Sequence, residues 1–188
     1  MSATFTPIRM RITTDRYQQM VAAGILTPND RVELIEGEIL AMAPIGTRHA
    51  QVTGRLLKRF VPGVGEAGIV RAANPVDLGS FSEPEPDLMI LKPQLEEYGA
   101  AHPQAADVLL LIEVADSSLA FDQGPKRDLY ARYSVREYWV IDVNADRIVS
   151  YRQPAQGAFQ AVREFRRGET ISPEAFPSLQ VVLAELFA

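Results

Sequence analysis

Glu85-Pro86-Asp87-Leu88-Met89-Ile90-Leu91 and Val108-Leu109-Leu110-Leu111-Ile112-Glu113-Val114-Ala115 each set one acid against an apolar run, Asp87 at its start and Glu113 near its end. Both runs read as buried strands. A carboxylate placed in such a run is costly unless something positive pairs with it. A divalent metal is one candidate, because hard cations take carboxylate oxygens and keep positions open for phosphate. Lys126, a short loop further on, is a cation within reach of the same place. Metal-assisted phosphodiester hydrolysis is the leading chemical reading of these three residues. The alternatives are a strand-end carboxylate bonded to backbone amides for Asp87, a buried ion pair for Glu113 and a solvated helix lysine for Lys126.

Outward from these runs the chain alternates helix and strand signals. Thr13-Thr14-Asp15 opens a short helix that Gly24 closes, and Val32 to Leu40 reads as a hairpin turning at Glu36-Gly37. Thr47 is the expected cap of a second helix that runs to about Phe60, where Pro62-Gly63 stops it. Its buried stripe is read as Ala50, Thr53, Leu56, Leu57 and Phe60, with Arg48, Gln51, Arg55, Lys58 and Arg59 largely off it. Strands are expected over Ile69 to Ala72, Val76 to Leu78, Asp87 to Leu91 and Val108 to Val114. Asp122 caps a predicted helix from about Pro125 to Tyr133, with proline acceptable in its first turn. Glu137 to Asp142 is a further buried strand, and Arg147 onwards reads as a small antiparallel meander. The order is that of an α/β protein with a mixed sheet. It is expected to be a single domain over 1–188, with a core at about 14–151 and a C-terminal β extension at about 152–188.

Bulk properties narrow the chemistry. The 188 residues suit one sizeable core, and an apolar fraction of 47% is ordinary for a globular chain. There is no cysteine, which excludes disulfides, zinc-thiolate centres and thiol nucleophiles. A net charge of -5 argues against a strongly basic nucleic-acid coat protein but not against an enzyme with a local basic surface. Met1 to Thr6 lacks the features of a signal peptide, and no run is long enough to span a membrane, so a cytoplasmic location is expected.

Five segments, taken as a set and in order, carry a resemblance. They are Val32-Glu33-Leu34-Ile35-Glu36-Gly37-Glu38, Glu85-Pro86-Asp87-Leu88, Ile112-Glu113-Val114, Asp122-Gln123-Gly124-Pro125-Lys126-Arg127-Asp128-Leu129-Tyr130 and Val135-Arg136-Glu137-Tyr138-Trp139-Val140-Ile141-Asp142. Together they resemble the Uma family of restriction-endonuclease-like proteins, within the PD-(D/E)xK nuclease superfamily, from about Thr14 to Tyr151. The resemblance implies an αβββαβ core with a mixed sheet, in which Asp87 and Glu113 ligate Mg²⁺ or Mn²⁺ together with the Val114 carbonyl. It adds Glu38 as an early acid completing the metal shell, with Glu33 and Glu36 as competitors. It implies catalytic roles for Asp87, Glu113 and Lys126, a supporting or capping role for Asp122, and DNA as substrate.

One departure matters. The lysine that the superfamily usually carries two residues after the glutamate is Ala115 here. Lys126 stands where the Uma-type pattern supplies a lysine from the next helix. His49, Arg48 and Arg55 are candidate nucleic-acid contacts, with solvation or helix capping as the plainer readings. Three functions are compatible with these residues: a metal-dependent endodeoxyribonuclease working as a homodimer, a catalytically silent nucleic-acid-binding or regulatory module, and a structural protein whose acids only form ion pairs.

Overall fold

The structure, a computed structural model, describes residues 9–188, so the Met1–Thr6 stretch lies outside the described residues. They form two compact units, 9–42 with Leu78–Pro84, and Ala43–Asp77 with Glu85–Ala188. No helix among the described residues is long and apolar enough to cross a membrane.

The smaller unit holds helix α1 (Thr14–Ala22) and the hairpin β1 (Val32–Ile35) and β2 (Glu38–Ala41). Thr13 caps α1, its side chain accepting the Arg16 N–H at 3.3 Å, as the Thr-Thr-Asp signal foretells. Tyr17 is the buried residue of this helix, and its hydroxyl donates to the Val32 carbonyl at 3.0 Å. The hairpin turns through Glu36 (φ 50°) and Gly37 (φ 83°). Two consecutive positive φ values match the twist of a two-residue turn. A Cβ on Gly37 would strike the Arg11 side chain, so glycine is required twice over.

The larger unit is built on a six-stranded sheet ordered β3-β4-β5-β6-β7-β8. Its strands are β3 (Ile69–Ala72), β4 (Leu88–Leu91), β5 (Val108–Ala115), β6 (Glu137–Asp142), β7 (Arg147–Ala155) and β8 (Ala158–Arg166). All neighbours are antiparallel except β5 and β6, which run parallel. A parallel pair needs a crossover. It is made by α3 (Leu119–Phe121), a π turn (Asp122–Lys126) and α4 (Arg127–Arg132). Helix α2 (Thr47–Val64) precedes β3, completing the expected αβββαβ order within a mixed α/β fold. The C-terminal antiparallel strands are present, and the first two, β7 and β8, extend the main sheet, with β8 as its long edge. The last two, β9 (Thr170–Ile171) and β10 (Val181–Val182), pair with each other before the short helix α5 (Leu183–Leu186).

Alternation along β5 sorts its side chains between two faces. Leu110, Ile112 and Val114 join Val52, Leu56, Phe60 and Val64 of α2 in the main core, with Trp139, Ile141 and the C-terminal Leu183 and Phe187. Glu113, between Ile112 and Val114, points to the opposite face, where Lys126 and Tyr130 of the crossover reach it.

The structure corrects several expectations. Val76 to Leu78 is no strand, and only an isolated bridge joins Asp77 to Gln104. Gly46, not Thr47, occupies the cap position of α2. The helix does not stop near Phe60 but runs through Pro62 to Val64, ending at Gly65 with φ 51°. Burial of Val64 in the core favours that last turn over the proline's penalty. The buried stripe of α2 is Val52, Leu56, Phe60 and Val64, while Ala50 is exposed and Thr53 and Leu57 are half-buried. Asp122 does not cap a helix beginning at Pro125; it is the first residue of the π turn.

Candidate active site

Asp87 sits in a bend one residue before β4. Leu88 is paired with Ile112, so continuing the antiparallel register by one sets Asp87 opposite Glu113. Directly opposite residues share a face of the sheet. The Asp87 carboxylate is fixed from two directions. Its Oδ2 accepts the Val114 backbone N–H at 2.7 Å, and its Oδ1 lies 2.9 Å from His49 Nε2. A strand residue's N–H and C=O face the same neighbour, so the Val114 carbonyl lies on the Asp87 side as well.

His49 stands in the first turn of α2, whose start is held close to the end of β5. A Cβ on Gly46 would meet the Asp116 carboxylate, which would have to shift to admit it. A carboxylate there also suits the positive end of an 18-residue helix. Asp116 is steadied in turn by Asn144, whose side-chain amide donates to its carbonyl at 2.8 Å.

Glu113 is buried on β5, and two donors converge on one of its oxygens. Lys126 Nζ lies 3.0 Å and the Tyr130 hydroxyl 2.9 Å from Oε1. The lysine is not solvated; its side chain is 6% exposed, against 5% for Glu113. The π turn explains this. Adding a residue to one turn rotates the rest of the helix, and such turns recur at functional sites. Asp122, Lys126 and Tyr130 thereby line up at steps of four, all buried. Asp122 accepts the Ser118 hydroxyl at 2.6 Å on Oδ2, and its carbonyl accepts the Tyr138 hydroxyl at 3.0 Å.

Tyr138 ties the group together electrostatically. Burial above all, and then the charges of Glu113, Asp122 and Asp87, hold its hydroxyl well above the ordinary tyrosine range. Its ring packs on Tyr130 with centroids 4.9 Å apart and stacks on Tyr151 at 5.7 Å.

The remaining candidates have partners of their own. Glu38, in the smaller unit, pairs with Arg9 at 2.9 Å and is exposed, while Glu33 is the buried acid of that hairpin and Glu36 the turn residue. Arg48 pairs with Asp146 at 2.7 Å, and Arg55 donates to the Leu186 carbonyl at 2.9 Å. Tyr130 is the site residue that sequence reasoning missed. Its spacing of four from Lys126 on a helix was the available signal.

Among the described residues no three His, Cys, Asp or Glu side chains cluster as a ready metal cage. The donors present are two carboxylates and a strand carbonyl, all hard oxygens. That set fits an ion such as Mg²⁺, which binds through one or two carboxylates and retains several waters.

A family model described as "Uma2: Putative restriction endonuclease" matches residues 14–184. Among solved structures, "a putative nuclease belonging to DUF820 from Anabaena variabilis ATCC 29413" superposes with a TM-score of 0.77 at 18% identity. The match covers 94% of this chain and 97% of that one, which establishes a shared fold. No curated protein matches the chain in sequence.

Proposed function

Because the chain belongs to the Uma2 family of restriction-endonuclease-like proteins, we propose that it is a metal-dependent endodeoxyribonuclease with its site at Asp87, Glu113 and Lys126. The observation that carries this reading is the buried contact between Lys126 Nζ and Glu113 at 3.0 Å. Ala115 can neither donate nor carry charge, and the next helix supplies a lysine beside the same glutamate.

In this reading Asp87, Glu113 and the Val114 carbonyl would hold Mg²⁺ or Mn²⁺. The bound ion supplies Lewis-acid polarisation of the scissile phosphate and added acidity for a nearby water. Lys126 places a positive charge where negative charge develops on the phosphate, in a site dry enough to strengthen it. His49 orients Asp87 through its Nε2 contact, and Asp122 helps fix the turn from which Lys126 projects. Arg48 and Arg55 are the candidate contacts to the nucleic-acid backbone. Cutting both strands requires two such sites, so the acting form is a homodimer.

The second reading, a silent nucleic-acid-binding module, is favoured by Ala115. Plasmid nicking with Mg²⁺ or Mn²⁺, run on wild type, Asp87→Ala and Lys126→Ala, separates the two. Cleavage by wild type that disappears in both variants is expected. Cleavage that survives Asp87→Ala would sink the assigned site. No cleavage by wild type, with DNA binding that weakens steeply with salt, would favour the silent module.

A further inference from the structure

We propose that Tyr130 is a positioning residue for Glu113, its hydroxyl fixing Oε1 alongside Lys126 and so setting how the carboxylate meets a divalent ion. The inference rests on the metal reading of Asp87 and Glu113 given above.

A buried tyrosine hydroxyl ordinarily needs only some acceptor. Tyr138 illustrates the ordinary case, donating to a backbone carbonyl at 3.0 Å. Tyr130 does something else: it donates to a carboxylate oxygen that an ammonium group already engages. Two donors on one oxygen define the rotation of the carboxylate plane better than either alone. Charge-assisted contacts of this kind are shorter and stronger than neutral ones. Lys126, the last residue of the π turn, and Tyr130, four residues on in α4, arrive on one helical face. The ring has little freedom. It is fully buried and packs on Tyr138, which stacks on Tyr151 and on Phe159 across the following strands. The hydroxyl is therefore held at the carboxylate by an aromatic row that reaches across β6, β7 and β8.

The partners that orient metal ligands typically change affinity by ~10–100-fold when removed. Mn²⁺ binding, followed by calorimetry or by the electron-spin resonance of free Mn²⁺, tests this on the full chain without requiring turnover. Wild type, Tyr130→Phe and Tyr17→Phe are compared, each with a thermal melt in chelator. Tyr130→Phe is expected to weaken Mn²⁺ binding by ~10-fold or more. Tyr17→Phe, which also removes one tyrosine hydroxyl bond, to the Val32 carbonyl at 3.0 Å, should bind as wild type does. Equal affinity in wild type and Tyr130→Phe overturns the proposal, and so does equal weakening in the two tyrosine variants. Absence of Mn²⁺ binding by wild type itself overturns the metal reading and the inference with it. If Tyr130→Phe shows no cooperative melt, Tyr130→Met takes its place, since methionine fills irregular space flexibly.

Discussion

Two buried glutamates on neighbouring strands, Glu113 on β5 and Glu137 on β6, are held in different ways. Glu137 has both oxygens engaged by fixed donors. Oε1 accepts the Trp139 indole N–H and the Arg152 guanidinium, both at 2.7 Å, and Oε2 accepts the Glu174 N–H at 2.7 Å. Arg152 also donates to the Ser172 carbonyl, so this carboxylate ties the segment around 172–174 to the sheet. Glu113 takes a lysine and a tyrosine on Oε1 and stands opposite Asp87, whose side chain keeps 20% exposure. The first arrangement joins chain segments. The second gathers charge next to a position that solvent reaches.

The contrast breaks most decisively on activity. Glu113→Gln should abolish cleavage, by ~1000-fold or more, because the charge stabilisation attached to a bound ion is several kcal/mol. Glu137→Gln should leave the cleavage rate of the folded protein near wild type. Steady-state nicking rates at saturating Mg²⁺ decide it, and equal losses at both positions would erase the distinction.

Stability should run the other way. Glu137→Ala strands the Arg152 charge and two N–H donors, and a broken buried pair costs ~3–5 kcal/mol, readable as a lower urea midpoint. The triple change Glu113→Leu, Lys126→Met, Tyr130→Phe removes the carboxylate and both of these donors together. Such replacement is often neutral or stabilising, so its midpoint should stay close to wild type although cleavage is gone.

A pH titration sharpens the same point. Burial, only partly offset by the Glu174 N–H and Arg152, raises the Glu137 carboxyl above the ordinary glutamate range. The native state therefore keeps that proton to higher pH than the unfolded chain. The stability linked to it is full below the ordinary glutamate value and is lost as pH rises through the raised one. Glu137→Gln should flatten this slope in melts taken across the window.

Smaller effects are expected at the edges of the site. His49→Ala removes the contact to Asp87 Oδ1 and should slow cleavage by ~10–100-fold with little change in the melt. Glu38→Gln breaks an exposed pair with Arg9 and should alter stability by less than ~1 kcal/mol.

Much of the fold was legible because the signals are local. The leucine-rich run ending at Glu113 and the Tyr138-Trp139-Val140-Ile141 run are strands in the structure, and Thr13 and Glu36-Gly37 do the capping and turning their types suggest. The π turn was not legible. Gly124-Pro125 reads as the start of a helix, and a one-residue bulge obeys neither helical nor strand periodicity. The expected helix start therefore moved to Arg127. Val76 and Leu78 looked like strand because they are apolar, yet they are buried without sheet partners. Burial and pairing are separate properties, and composition reports only the first. The continuation of Glu137 to Asp142 into β7 and β8 as one sheet depends on pairing between segments, which no single run encodes. Tyr130 was passed over for the same reason, since its partner lies 17 residues away on another strand.

The long outer strand β8 has a consequence for assembly. A nine-residue strand with one side unpaired is a natural template for a second copy to add to. Here it carries Arg163, Glu164 and Arg166 close together, engaged in ion pairs with Glu169, Arg147 and one another. Fixed charges along a border discourage another strand from docking there. A pair of these molecules acting on two strands of DNA would have to meet through some other surface, leaving the two sheets as separate bodies rather than one continuous ribbon.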